Sequence, residues 1–488
     1  GVMQPTSAAS RYAEHSVLAS GKWAKIRVPS SGVYQLTPEL IRRAGFSHMN
    51  KVKVYGYGGN LQDEVLTADF ITSHDDLKEV PTYDAGGRRL FYARGPVSWE
   101  QNTSSRRIRN PYSDYGCYFL TEDDSGTPAV IADSTEFLNS FYPAADDYHS
   151  LHEVDDFSWY HGGRNLFEKT PLKLNESKVF TLANKAHTAA GRLTVAITTG
   201  TYASTVKLEA NGRDLGEIRI APHDSFDKGY EEVRSYALDN LRAVDSIKIT
   251  TTAGGPARLD FISIATNKPR SAPDLHVATI PAPQYVHNIT SQNLHAHGAA
   301  DMVIVIPTSQ KLRQEAERLK AFHEKHDGMR VRIVPADELY NEFASGTPDA
   351  NAYRRYLKML YDRAENEADQ PKYLLLFGDC AWDNRMKTAD WRTTSVDDYL
   401  LCFESEDSFN EITCYVDDGF FTLLDDGEGV NLERSDLQDV AVGRFPVVHP
   451  DDARTMVDKT IAYAQNANTG AWQNTIMFMG DDGNQNLH

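Results

Sequence analysis

Carboxylates and glycines recur directly after apolar runs in the second half of this chain. Tyr373–Phe377 is followed by Gly378-Asp379-Cys380 and Ile412–Val416 by Asp417-Asp418-Gly419. Val440–Val442 is followed by Gly443-Arg444, and Thr475–Met479 by Gly480-Asp481-Asp482-Gly483. If these runs are strands of one parallel sheet, the residues after them share its carboxyl edge, where open α/β sheets bind ligands. Glycine there allows a sharp turn and leaves backbone amides accessible. Asp and Gly are also the ordinary residues of turns. Each Asp alone therefore reads as a turn residue, and only the repetition of carboxylates after three of the four runs supports a functional reading.

The strongest metal candidate is the loop Leu423–Gly429, LLDDGEG. Asp425, Asp426 and Glu428 supply hard oxygen ligands in a glycine-containing turn, which suits calcium. The spacing is not that of an EF-hand, and a solvated acidic hairpin is the competing reading. Cys380 stands directly after a strong strand and is formally a nucleophile candidate. A reactive thiol needs a basic partner, and no His lies near it in sequence, so a structural thiol is favoured. Cys402 and Cys414 flank an acidic loop and read as inert, and Cys117 lies in an apolar strand. No CxxC or HExxH zinc pattern occurs, nor any nucleophile elbow or phosphate-binding glycine loop. His323 and His326 on a helix, and His295 and His297 in a loop, read as surface residues. Trp99, Tyr112, Tyr115, Trp159 and Tyr160 could line a glycan or peptide groove, but core packing is the default for them.

The elements that must position these residues change in kind near residue 270. Before that point short alternating segments predict strands: Lys22–Val28, Val33–Leu36, Lys51–Tyr57, Arg89–Ala93 and Tyr115–Leu120. Thr37-Pro38 predicts a capped helix ending at Gly45. After a loop over Tyr142–Trp159 a second β block follows, with strands at Lys178–Leu182, Gly191–Ile197, Val206–Ala210, Glu217–Ile220, Ser246–Thr251 and Arg258–Ile264. Asn211-Gly212 is a hairpin signal. The expected domains are residues 1–145 (β-rich), 146–268 (a sandwich or jelly roll), 269–300 (a linker, with four prolines at 269–283) and 301–488 (α/β). In the last, Asp301–Ile306 reads as a buried strand, Met329–Val334 as the next strand, and Ser309–His326, Pro348–Arg363 and Pro450–Tyr463 as helices, so the order predicts a largely parallel, doubly wound sheet.

Composition narrows the function. The chain has 488 residues, 41% hydrophobic and 24% charged, which is globular. Its 50 basic and 69 acidic residues leave a formal charge of -19. Such a surface repels phosphate backbones, so no nucleic-acid partner is expected. No apolar run approaches the about 20 residues that span a bilayer. The first residues lack the basic and apolar blocks of a secretory signal, so the protein is either cytoplasmic or has lost one.

The order of several motifs resembles the gingipain-like cysteine peptidases that serve as sortases of the type IX secretion system. The motifs are FYARGPVSW (91–99), NPYSDYGCYFL (110–120), Gly162-Gly163-Arg164, LDFISI (259–264), YLLLFGD (373–379), VDDGFFTLLDDGEG (416–429), VAVGRFP (440–446), VDKTIAY (457–463) and FMGDDGNQN (478–486). The resemblance implies β-rich domains before a caspase-like, gingipain-like α/β peptidase domain, here incomplete. The family's catalytic His, in a Gly-His-Gly turn, and its Cys match no position in 1–488 and are expected beyond His488. Asp481 and Asp482 lie where the family has carboxylates that support the catalytic His. Calcium sites of the family fall near Asp379 and Leu423–Glu428, which makes Asp379, Asp425, Asp426 and Glu428 the implied metal ligands, with no cofactor in catalysis. The implied activity removes the C-terminal sorting domain of cargo and passes the cargo, through a thioester, to anionic lipopolysaccharide on the outer face of the bacterial outer membrane. The implied partners are the β-barrel PorV and the attachment proteins PorQ and PorZ. Two other readings stand beside it. One is a non-catalytic surface protein that recognises a sorting domain, a glycan or a barrel. The other is a metal-dependent hydrolase using Asp379, Asp418, Asp425 and Asp482.

Overall fold

A computed structural model describes residues 7–482 apart from positions 103, 125, 201, 223, 224, 278, 430, 431, 433 and 481. Three layered units make up the fold, and the first takes its last strand from beyond the second.

The first unit packs a five-stranded sheet against a four-stranded one. Trp23–Val28 lies inside the larger sheet, between Gly116–Glu122 and Gln284–Ile289. Its apolar residues Ala24, Ile26 and Val28 face the core with Tyr34, Phe91 and Leu120, as the two-residue period requires. Thr37 caps the helix Pro38–Arg43 by accepting from Leu40 N–H, and Gly45 closes it at φ +77°. The strand Gln284–Ile289 corrects the expected linker. The prolines stop at Pro283, and the following QYVHNI regains backbone donors and completes the edge of the first sheet.

The second unit is a sandwich of two four-stranded antiparallel sheets. All six expected strands form. Asn211 and Gly212 take φ +51° and +81° between two of them, the geometry of a tight hairpin. Two strands were missed. His149–Glu153 falls inside the expected loop, where it pairs with Ala257–Thr266. Tyr230–Leu238 pairs with Gly191–Thr199 but exposes much of its length, so it carries little apolar signal.

The third unit is the α/β domain, whose elements are numbered here. Strand β1 is Met302–Ile306 and helix α1 is Arg313–Asp327. Strand β2 is Val331–Pro335, followed by α2 at Ala336–Phe343 and α3 at Asn351–Arg363. Strand β3 is Tyr373–Phe377, β4 is Ala441–Phe445, and α4 is Pro450–Ala464. All pairings are parallel, in the order β2-β1-β3-β4. Every residue of β1 is buried, as a strand covered on both faces demands. Helices α1 and α4 cover one face through Ala316, Leu319, Ala453 and Val457. Helices α2 and α3 cover the other, where Tyr353, Tyr356, Leu357 and Phe343 pack on Val303 and Val305.

Two expected strands do not form. Ile412–Val416 is a turn-rich segment with a single bridge, Glu404 to Val416. Asn410 Oδ1 accepts from Ile412 and Thr413 N–H, and Asp407 Oδ1 from Phe409 and Asn410 N–H, so side chains take donors that a ladder would use. Thr475–Met479 is irregular and exposed, with Phe478 at 91%. Its apolar composition suits a strand, but no strand pairs with it among the described residues.

Candidate functional site

The carboxyl edge of β3 and β4 brings Asp379, Cys380, Asp418 and Arg444 into one neighbourhood. Asp418 does not follow a strand as expected. It opens a short 3-10 turn at Asp418–Thr422 and receives the Arg444 guanidinium in a two-pronged pair at 2.8 and 2.9 Å. Arg444 also donates to the carbonyls of Gly378 (3.1 Å) and Leu401 (3.2 Å). It thereby ties the end of β3 to the 400–402 segment. Its remaining capacity is small, so Asp418 and Arg444 act as a brace.

Cys380 is partly exposed and Cys402 is buried, and both are free thiols. The Cys402 thiol, hydrogen-bonded to Cys380, holds the Cys380 thiol below its ordinary value and so favours its thiolate. Burial opposes this and the Arg444 charge adds to it. Cys402 is pushed well up by the same bond and by burial. The charges and bonds with the largest effect on Cys380 are those of Cys402, Arg444, Asp418 and Asp379. An imidazole hydrogen-bonded to its thiol, to take its proton, is missing among the described residues. Asp379 spends one carboxylate oxygen on the Cys380 backbone N–H at 2.8 Å.

The acidic loop separates the expected metal ligands. Asp425 and Glu428 do converge, with Asp439 as a third carboxylate, and their oxygens lie within 4.8 Å of one another. Burial, then the charges of Asp425 and Glu428, raise the Asp439 carboxyl. Each carboxylate is oriented: Tyr361 donates to Asp425, Leu424 N–H to Asp439, and the N–H groups of Asp425 and Leu437 to the two oxygens of Glu428. Hard oxygens crowded in this way fit a calcium ion. Asp426 turns away and pairs instead with Arg11 (2.7 Å) and Lys358 (2.8 Å). Asp379 belongs to no such group among the described residues. Asp439 lies ten residues beyond the expected loop, and sequence spacing alone carried no sign of it.

The loop rests on two buried cations of α3. Arg354 donates to the carbonyls of Leu423, Glu428 and Glu64. Lys358, 1% exposed, donates to Leu424 O at 2.6 Å. Asp482 is exposed, and Asp481 lies outside the described residues. The four carboxylates of the hydrolase reading, Asp379, Asp418, Asp425 and Asp482, form no common group among the described residues.

Two polar clusters escaped sequence reasoning. His295, expected at the surface, is wholly buried. Its Nδ1 meets Glu342 at 2.6 Å, its Nε2 meets Asp75 at 2.9 Å, and its ring stacks on Phe343. His297 is half-buried beside Tyr356. The second cluster joins all three units. Arg107 pairs with Glu153 (2.6 Å) and Asp260 (2.9 Å), while Arg109 (2.8 Å) and Arg385 (2.7 Å) pair with Asp155. Burial pushes the Glu153 carboxyl up to about 8. Three guanidiniums already neutralise these acids, so the cluster reads as a structural ion network. Trp99 and Tyr112 are buried. Trp99 stacks on His149, and Arg258 lies over Trp159, which leaves these two tryptophans to packing rather than to a groove.

The fold is one of β-rich units leading into a parallel α/β domain, and residues 295–488, which hold that domain, match the model of peptidase family C25. Across almost its whole length the chain is similar to one solved structure, the dimeric latent PorU of Porphyromonas gingivalis. Identity is 28%, the TM-score is 0.77, and the match covers 96% of this chain and 51% of that one. The chain thus spans about half the length of PorU. Two carbohydrate-binding modules match a quarter of the chain or less. They are a CBM35 from Cellvibrio japonicus (15% identity, 25% of this chain and 88% of that one, TM-score 0.19) and a family 35 module from Clostridium thermocellum (13%, 24% and 88%, 0.18). No curated protein sequence matches the chain.

Proposed function

We propose that this chain is the front portion of a gingipain-like cysteine peptidase that acts as a sortase of the type IX secretion system. The observation that carries the reading is the match to PorU over 96% of the chain, with a peptidase family C25 domain in register behind two β units. In this reading the nucleophilic Cys and its His lie outside residues 1–488. A thiolate attacks the carbonyl at the cargo's sorting-domain junction, the sorting domain leaves with the new amine, and a thioester forms. An amine of anionic lipopolysaccharide, or water, then resolves the thioester and restores the thiol. The protein works at the outer face of the outer membrane, with PorV, PorQ and PorZ as partners. Asp425, Glu428 and Asp439 are the residues proposed to hold a structural calcium.

The surroundings of Cys380 support assigning the chemistry elsewhere, because among the described residues no imidazole is hydrogen-bonded to its thiol. The test compares the full-length protein with residues 1–488 on a cargo carrying its sorting domain. Thiol-sensitive cleavage by the full-length protein, and none by residues 1–488, is expected. Cleavage by residues 1–488, abolished by Cys380→Ala, would overturn the assignment. The scaffold reading remains the alternative: it requires sorting-domain binding by a full-length protein that cleaves nothing.

A further inference from the structure

The strand Trp23–Val28 alternates, and the face opposite its core carries Lys25 and Arg27. Such residues normally belong to solvent. Here the α/β domain covers them. Lys25 is 9% exposed, and His287 and Phe119 are its cross-strand neighbours. Between this sheet face and the α/β domain lies a cavity of about 430 Å³.

The far wall of the cavity is the carboxyl edge of the parallel sheet. Thr308 follows β1, Asp337 follows β2, and Ala381 follows β3. The chain runs from β1 outward to β2, then returns past β1 to β3. The gap between β1 and β3 is therefore the topological switch point, the place where open α/β sheets receive ligands. A volume of this size accommodates a small molecule.

Two opposite charges face this chamber without closing on each other. The Lys25 ammonium has no hydrogen bond and no ion pair among the described residues; the Asp337 carboxylate feels its charge and accepts from Glu338 N–H, but its Oδ1 is buried with no hydrogen-bond partner. The other charges on the lining are committed or lie at the mouth. Arg385 pairs with Asp114 at 2.9 Å, Arg27 lies 3.9 Å over the Tyr115 ring, and Asp397 and His287 are exposed. Burying charges in this way is costly unless something pairs with them. Beside them Tyr112, Tyr340, Tyr399 and Leu401 present an apolar wall.

We propose that this cavity binds a small zwitterion, an amino acid or dipeptide with free ends, its carboxylate on Lys25, its ammonium on Asp337 and its apolar side chain among the tyrosines. The site is independent of the peptidase reading, since it needs no catalytic thiol. It is tested by calorimetric titration of the protein with leucyl-phenylalanine and with the same dipeptide acetylated and amidated at its ends. Saturable binding of the free dipeptide is expected, with the capped form weaker by about tenfold or more, the loss that follows when a charged hydrogen bond is removed at each end. Lys25→Met and Asp337→Asn should each weaken binding to a similar degree. The capped comparison uses unaltered protein and so remains decisive if a variant fails to fold. Equal binding of both forms, displacement of the dipeptide by inorganic phosphate alone, or no saturation by about 10 mM, a very weak affinity, would each overturn the proposal.

Discussion

Replacing His295 with Gln should flatten the alkaline limb of the protein's stability curve. Burial by itself lowers the imidazole's affinity for its proton, but the hydrogen bonds to Asp75 and Glu342 outweigh it and hold the ring at about 9, against an ordinary 6.5. At 1.36 kcal/mol per pH unit this is about 3 kcal/mol of preference for the charged ring in the folded protein. The side chain is 0% exposed, so solvent screening discounts little of it. The folded-state value is raised, so the contribution is complete below pH 6.5 and is lost as pH rises through 9. Glu153, held up to about 8, and Asp349 and Glu338, each held up to about 7, titrate in the same window with the same sign. The wild-type curve alone is therefore not diagnostic. The difference between wild type and His295→Gln isolates the clamp, because the other groups are common to both. Denaturant unfolding at pH 6 and pH 9.5 should show a stability difference between the two proteins that shrinks by about 3 kcal/mol at the higher pH. A difference that stays constant across this range would refute the charged clamp, even if the variant is less stable at every pH.

Other outcomes follow from single contacts. Arg354→Met leaves the carbonyls of Leu423, Glu64 and Glu428 without their donor. It should cost about 3 kcal/mol, the scale for breaking a buried charged network, and hasten limited proteolysis within residues 423–429. Gly212→Val forces a β-branched side chain to φ +81° and should lower stability by about 1–2 kcal/mol, read from the thermal midpoint. Cys402→Ala removes the hydrogen bond that lowers the Cys380 thiol, so alkylation of Cys380 should shift to higher pH. Calcium at about one hundred times its dissociation constant should stabilise the protein by about 2.7 kcal/mol. Asp439→Asn should abolish that gain, while Asp426→Asn should leave it.

Much of the fold is legible in local chemistry. The Thr37 cap, the Asn211-Gly212 hairpin and the unbroken apolar run of β1 each depend on residues close in sequence, and each forms as expected. The reading fails where a partner is distant or a side chain competes. Asn410 takes the N–H donors of Ile412 and Thr413 that the segment Ile412–Val416 would have offered a neighbour, and Asp407 holds the turn before them. Gln284–Ile289 becomes a strand only because Trp23–Val28, some 260 positions earlier, waits with an open edge.

The sequence by itself determined the succession of β units and a parallel α/β domain, because periodicity, caps and turn residues are local properties. It also placed acidic residues in the loop 425–428. Only the tertiary structure decided which carboxylates meet. Asp439 joins Asp425 and Glu428, while Asp426 leaves for Arg11 and Lys358. It also turned His295 from an apparent surface residue into a buried imidazolium and covered Lys25 with a second domain. Charge is visible in a sequence, but its burial and its partners depend on chain segments tens to hundreds of residues away, and these set what a charged side chain does.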